Sequence, residues 1–402
     1  MSDASAGRPG ERIRVLKVMP GVSPDGGAEQ SLLALVPGLL AAGVELHLVV
    51  LTERQGLVAP LEAAGVVIHD LSNAGGLFRR VVAIRRVIAA IRPDLVHASL
   101  YEATLPTQLA MVGSDVPLLV TWANVNYGAE RAACGDAGRA KLEAHRLIEA
   151  AAGRVSASWY HAVTRGVARE NARALHVDPR RVLVAERGRS ATKIDAAAGQ
   201  RDDVRSSLGV GPDDLVVLAI GRQDVQKAYP QLLRQFDLVA RANPRARLWV
   251  AGRAGSDSPA TERAHAAMDH ADRVSLLGHR DDVPALLAGC DVVVCGSWRE
   301  GAAGALIEAM AARRPVVTAR VAGLDGVVTD GVDGVVVDRA YLSDALIRVL
   351  DDADLRRSIA AAGRRSFERR FTVDAAARQL LDVYRTVVSH AGDERVVSAP
   401  AA

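Results

Sequence analysis

Two parallel sheets in an α/β fold are predicted by three features of the sequence. Short apolar runs alternate with amphipathic helical stretches, and the alternation starts afresh after a polar segment near residue 190; this is the pattern of parallel strands joined by right-handed helical crossovers. The chain has 402 residues and is 49% hydrophobic, enough for two cores of ordinary size. Glycine-containing and polar loops follow several of the apolar runs, at the strand ends where such sheets place their ligands.

In the first half the runs Ile13–Met19, Val44–Thr52, Val66–Leu71, Leu95–Ser99, Pro117–Trp122, Trp159–Val163 and Arg181–Ala185 read as strands. Helical periodicity fills the intervals at Gln30–Leu40, Leu57–Ala64, Leu77–Ile91, Leu105–Val112, Leu142–Ala151 and Val167–Leu175. The second half repeats the pattern with strands at Leu215–Ile220, Ala246–Ala251, Val274–Leu277, Asp291–Cys295, Pro315–Ala319 and Val335–Val337, then turns wholly helical from Ala340. The expected organisation is a polar tail over 1–11, a first domain over 12–190, a linker over 191–205, and a second domain over 206–372. A final helix over 373–390 crosses back to the first domain, and a disordered tail covers 391–402.

Composition removes several functions. Arginine dominates the cations, with lysine only at positions 17, 141, 193 and 227, the net charge is +3, and aromatics for base stacking are 3% of the chain, so nucleic acid is not an expected partner. Cys134, Cys290 and Cys295 lack metal-ligand spacing and read as reduced thiols of a cytoplasmic protein. No apolar run reaches the length of a membrane span, and the first residues lack an apolar signal core. Helix Leu77–Ile91, with Arg79, Arg80, Arg85 and Arg86 opposite an apolar face, is a candidate for peripheral contact with the inner face of a membrane; a solvated outer face is the plainer reading.

The chemistry concentrates in 297–334. Glu300 and Glu308 are separated by seven residues, Glu300 in a loop after a buried strand and Glu308 in the helix that follows. Unpaired amides at such a helix start hold phosphate, while a carboxylate accepts from sugar hydroxyls, which suits a nucleotide sugar. Gly221-Arg222 through Lys227, after the first strand of the second half, places a planar donor and a point charge where a diphosphate binds. Gly26 and Gly27 open the first helix, with a simple tight turn as the alternative reading. Polar strand ends in the first half add His97, Ser99, Tyr101, Asn124, Asn126, Tyr127, Glu130 and Arg131.

Taken in order, these motifs resemble the family 4 retaining glycosyltransferases from Ile13 to about Val388. Gly26-Gly27-Ala28-Glu29 is similar to the family's Gly-Gly loop, Gly221-Arg222 with Lys227 to its diphosphate grip, and Glu300 with Glu308 to its Glu-x7-Glu signature, followed by Arg314-Pro315 and Asp330-Gly331 with Asp333-Gly334. The resemblance implies the GT-B fold, two Rossmann-like parallel-sheet domains facing an interdomain cleft, and a hexosyltransferase that needs no metal or other cofactor. Its donor would be a UDP-, GDP- or dTDP-sugar and its acceptor a hydroxyl on a polysaccharide or lipid precursor or a small natural product. It assigns Arg222, Lys227 and Glu300 to catalysis. Gly26, Gly27, Arg280, Val283, Gly301, Ala302, Ala303, Leu306 and Glu308 join them in holding the donor, with Glu308 on the ribose. Expected on the acceptor side are His97, Asn124, Asn126, Tyr127 and Arg187.

The sequence departs from the family in two places. Ala123 stands where many relatives carry histidine, and Glu186-Arg187-Gly188-Arg189 replaces a Pro-Asn-Gly turn. The two arginines fit either a ligand's phosphate or carboxylate or a structural ion pair. Other functions compatible with these residues are a nucleotide-sugar epimerase, a glycogen-synthase-like transferase, and a non-catalytic partner that binds donor.

Overall fold

A computed structural model of the chain describes residues 12–24, 26–53, 56–127, 131 and 138–398; the tail 1–11, Glu130, Cys134 and residues 399–402 lie outside them. The chain divides into two compact units, one of Met1–Asn126, Arg139–Gly188 and Val373–Ala402, the other of Tyr127–Gly138 and Arg189–Thr372.

The first unit runs β1 (Ile13–Met19), α1 (Gly27–Ala41), β2 (Val44–Val50), α2 (Val58–Ala63), β3 (Val67–Asp70), α3 (Leu77–Ile91), β4 (Leu95–Ser99), α4 (Tyr101–Ala110), β5 (Leu118–Trp122), α5 (Arg139–Val155), β6 (Trp159–Ala162), α6 (Arg165–Leu175) and β7 (Val182–Val184). Its strands pair in parallel in the order β3-β2-β1-β4-β5-β6-β7. Every crossover is helical, so right-handedness puts α3 to α6 in one layer and α1 and α2 in the other. Helix α4 begins four residues before the predicted Leu105, because Leu100 takes a left-handed backbone (φ 71°) that turns β4 straight into the helix.

One face of this sheet is almost wholly apolar, with Val15, Met19, Leu95, Leu119 and Trp159 packed on Leu32, Leu380 and Tyr384. A polar stripe interrupts it. Lys17 pairs with His97, Ser99 with Thr121, and Thr121 with His161, so all five side chains emerge on that face near the C-terminal ends of four adjacent strands.

The second unit contains α7 (Thr192–Ala196) and α8 (Arg201–Ser207), β8 (Leu215–Ile220), α9 (Tyr229–Ala242), β9 (Ala246–Ala251), α10 (Ser258–Ala266), β10 (Val274–Gly278), α11 (Val283–Gly289), β11 (Val292–Cys295), α12 (Gly304–Ala311), β12 (Val316–Ala319), β13 (Val335–Val337), α13 (Leu342–Asp351) and α14 (Ala353–Ser366). Its parallel sheet has the order β10-β9-β8-β11-β12-β13, the doubly wound arrangement with a switch point between β8 and β11. The segment 191–205, expected as a linker, instead holds α7 and most of α8. Arg205 on α8 is buried and bonds the carbonyls of Gly289, Gly211 and Asp214, which ties the segment to the core.

The last helix, α15 (Val373–Ser398), belongs to the first unit, where it packs on α1 and completes the layer over the polar stripe. It extends beyond the expected end at 390, so residues 391–398, read as disordered, are helical.

Candidate functional site

The sequence-predicted residues fall into two groups, one in each unit. In the second unit, Lys227 and Glu300 come together across the ends of β8 and β11, with Nζ donating to Oε1 at 2.5 Å. Ser297 Oγ donates to the same oxygen at 2.6 Å, and Cys295 Sγ lies 3.8 Å from it. Glu300 Oε2 has no partner among the described residues, although the carboxylate is 4% exposed. Burial opposes the Lys227 charge, but Glu300, Cys295 and Asp224 outweigh it and the ammonium is held above its ordinary pKa. Burial and the Glu300 charge push the Cys295 thiol up.

The loop carrying Glu300 is clamped from several sides. Arg339 donates to the carbonyls of Gly296 and Ser297 at 3.1 and 2.5 Å and stacks 3.9 Å over Trp298, whose amide bonds Gln226. The Glu300 carbonyl touches Gly323, where a Cβ would sit 1.7 Å from it, so only glycine fits. Gly301 and the buried Ala302 follow, and Ala303 caps α12 in a left-handed conformation. A cavity of about 20 Å³ lies among Lys227, Glu300, Ser297, Ala303 and Leu306, room for roughly one water.

Glu308, on the second turn of α12, is met by Arg189, whose Nε donates to Oε1 at 3.0 Å. Burial raises the Glu308 pKa and Arg189 opposes the rise. Of the two readings of Arg189, the structure contains the ion pair. The remaining predicted residues stand apart from the cavity. Arg222 points to Asp224, Nε to Oδ2 at 2.6 Å, and is well exposed. Arg280 makes a two-pronged pair with Asp282 at 2.7 and 2.6 Å just before Val283 opens α11.

In the first unit, Gly26 caps α1 and Gly27 is its first residue, with Arg187 Nη1 3.7 Å from where a Cβ of Gly27 would stand. His97 and Arg187 both line a cavity of about 70 Å³ above the polar stripe. Asn124 and Asn126 are not part of it. The Asn124 carbonyl accepts from Asn171 on α6, and the Asn126 amide donates to the same side chain. Tyr127 is buried and groups with the second unit.

Sequence reasoning missed most of the stripe. Lys17 Nζ donates to Ser99 Oγ at 2.9 Å and lies 3.4 Å from His97 Nδ1; His97 bonds Tyr384 at 2.9 Å and Thr121 at 2.6 Å; Thr121 reaches His161 at 3.2 Å, and His161 the Ala185 carbonyl at 2.9 Å. Burial lowers Lys17 from 10.5 to about 7 and His161 from 6.5 to about 4, and holds His97 well below the imidazole range. The available signal was polar residues at every second position of otherwise apolar strands. Among the described residues no cluster of three metal-ligating side chains occurs, and no helix is long and apolar enough to cross a membrane.

Two family models match the chain, "Glycosyltransferase Family 4" over residues 25–192 and "Glycosyl transferases group 1" over 214–352. A D-inositol 3-phosphate glycosyltransferase of Salinispora tropica is 28% identical over 92% of this chain and 83% of its own. An alpha-D-kanosaminyltransferase of Streptomyces kanamyceticus is 28% identical over 47% of this chain and half of its own length (50%). Among solved structures, a glycosyltransferase of Rickettsia africae superposes with a TM-score of 0.74 at 18% identity over 94% of this chain and 99% of its own. HepE of Anabaena, solved with UDP and glucose, gives 0.74 at 18% over 93% and 100%. With a glycosyltransferase model matched in each half and a named enzyme aligned along nearly its whole length, the chain belongs to the family 4 glycosyltransferases, enzymes of the GT-B fold.

Proposed function

We propose that the chain transfers a hexose from a nucleoside diphosphate sugar to a hydroxyl acceptor with retention at the anomeric carbon. The observation that carries this reading is the Lys227–Glu300 pair: a half-buried cation held at the β8 end, beside a buried carboxylate that it meets at Oε1. In this reading Lys227 faces the departing diphosphate, Glu300 Oε2 accepts from a hydroxyl of the donor sugar, and Glu308 accepts from the ribose. Arg222 exchanges Asp224 for the diphosphate. Arg280, Val283, Gly301, Ala302, Ala303 and Leu306 surround base and sugar, and Gly26 and Gly27 are assigned to the donor as well.

The bond from the anomeric carbon to the diphosphate oxygen breaks with its electrons on the leaving group, the acceptor oxygen bonds to that carbon on the same face, and the acceptor proton passes to a phosphate oxygen. Charge on the diphosphate is met by Lys227 and Arg222, so the reading asks for no metal. The solved complexes of HepE with UDP and with UDP-glucose support a donor of this class. The acceptor is assigned to the first unit, with His97 and Arg187 on its cavity and Asn124 and Asn126 on the loop after β5; Tyr127, the next residue assigned to it, groups with the second unit.

Calorimetric titration with UDP-, GDP- and dTDP-sugars, followed by mass spectrometry of acceptor mixtures, tests the reading. Glu308→Ala and Lys227→Ala are expected to lose donor binding or turnover, and unchanged transfer in both sinks it. Isomerised sugar without acceptor would favour an epimerase instead. Peripheral membrane contact through α3 is supported by Leu77 and Phe78, 47% and 79% exposed at its start, beside Arg79. The arginine face itself is narrower than its sequence: Arg80 and Arg85 are turned onto the carbonyls of Leu51 and Ala110.

A further inference from the structure

We propose that the cavity over the polar stripe of the first unit receives an anionic group of the acceptor, a phosphate or a carboxylate, between Lys17 and Arg187. This names the acceptor class and rests on the glycosyl-transfer reading.

Lys17 is 6% exposed and lines the cavity, yet its partners are the neutral Ser99 hydroxyl and His97 ring. A buried ammonium is ordinarily matched by a carboxylate. Among the described residues burial is the influence that acts on the amine. Arg187 and Glu186 also line the cavity, and Lys17 and Arg187 are both close enough to lower His161.

The cavity volume, about 70 Å³, exceeds what a single water needs and leaves room for one small anion. Met19, Leu32 and Leu380 line it as well, and beside apolar walls a direct charge contact counts for more than in open water. The donor's own phosphates have Lys227 and Arg222 in the other unit, which leaves this positive pocket for a charge on the acceptor. An anion seated against Lys17 also supplies the counter-charge the folded protein lacks there, and so raises the amine's affinity for its proton.

The test is titration of the full chain with inorganic phosphate, and separately with acetate, by calorimetry in wild type, Lys17→Met, Arg187→Gln and Lys227→Met. Phosphate or acetate affinity is expected to fall about tenfold or more in Lys17→Met and Arg187→Gln, as for loss of a charge-assisted hydrogen bond, and to persist in Lys227→Met. The two anions separate a phosphate from a carboxylate acceptor. Methionine fits the apolar surroundings, and an unlowered thermal midpoint for Lys17→Met shows that the fold is intact. Absence of binding by either anion, an affinity and stoichiometry unchanged by Lys17→Met, or loss only in Lys227→Met overturns the proposal. Nucleotide-sugar binding in the same proteins reports on the donor reading separately: its failure alongside an intact Lys17-dependent anion site would remove the glycosyl-transfer role and leave the pocket.

Discussion

At the scale of single residues, Lys227 and Glu300 hold each other in place. Lys227→Met leaves a carboxylate that is 4% exposed with only Ser297 and Cys295 for company, and breaking such a pair is expected to cost about 3–5 kcal/mol, read by chemical denaturation. Glu300→Gln keeps the shape and a hydrogen-bond acceptor, so most of the stability should remain while transfer falls, on the order of 100-fold for a lost donor-positioning group. Arg189 is predicted to keep Glu308 ionised. Removing it as Arg189→Ala deletes the charge that opposes burial, so the Glu308 pKa climbs further and donor binding is lost at a higher pH than in wild type, measured by titrating donor across pH. Lys227 was legible in the sequence because lysine is scarce and this one follows a strand end; Lys17, equally scarce, was hidden inside a strand. Its register against His97, which makes it part of a cluster, depends on pairing across eighty residues.

At the scale of elements, the polar stripe makes the central strands of the first unit sensitive to pH. Lys17 is lowered from 10.5 to about 7, and the groups around it are His97, His161, Tyr384, Arg187 and Glu186. Between those two values the unfolded chain carries a proton that the folded chain lacks, so stability rises with pH across this window and the gain is lost on descent to 7. The slope approaches ~1.4 kcal/mol per pH unit, and urea denaturation of Lys17→Met should show it removed. Helix α3 makes a different prediction: Phe78→Glu is expected to abolish pelleting with anionic vesicles while leaving donor binding intact. Its boundaries were legible from periodicity, but the engagement of Arg80 and Arg85 with carbonyls of neighbouring elements was not, since periodicity shows which side faces out and not what bends back.

For the whole molecule, acid is the expected weakness. His161 is lowered from 6.5 to about 4 and His97 is lowered as well, both mainly by burial. The unfolded chain therefore binds more protons below about 6.5, and stability should decline from there towards pH 4, seen as a falling thermal midpoint that Lys17→Met does not restore. Alternating strands and helices made both sheets legible, because apolar runs and periodicity are local. Helices α7 and α8 were not, since their polar sequences are held by partners far along the chain, Asp195 by Arg364 and Arg205 by the Gly289 carbonyl, and neither was the continuation of α15 past residue 390. That last helix contributes Tyr384 to a hydrogen-bond chain whose direction can be worked out atom by atom. The Ala185 carbonyl only accepts, so His161 Nε2 carries hydrogen and its Nδ1 receives the Thr121 hydroxyl proton. Thr121 has no second proton to give, so His97 must donate from Nε2 and receive at Nδ1, from the Tyr384 hydroxyl and the Lys17 amine. Both rings are thereby locked in the same tautomer, and the sheet carries a polarised wire from its C-terminal helix to the end of β7 that nitrogen chemical shifts should register as two neutral Nε2–H imidazoles.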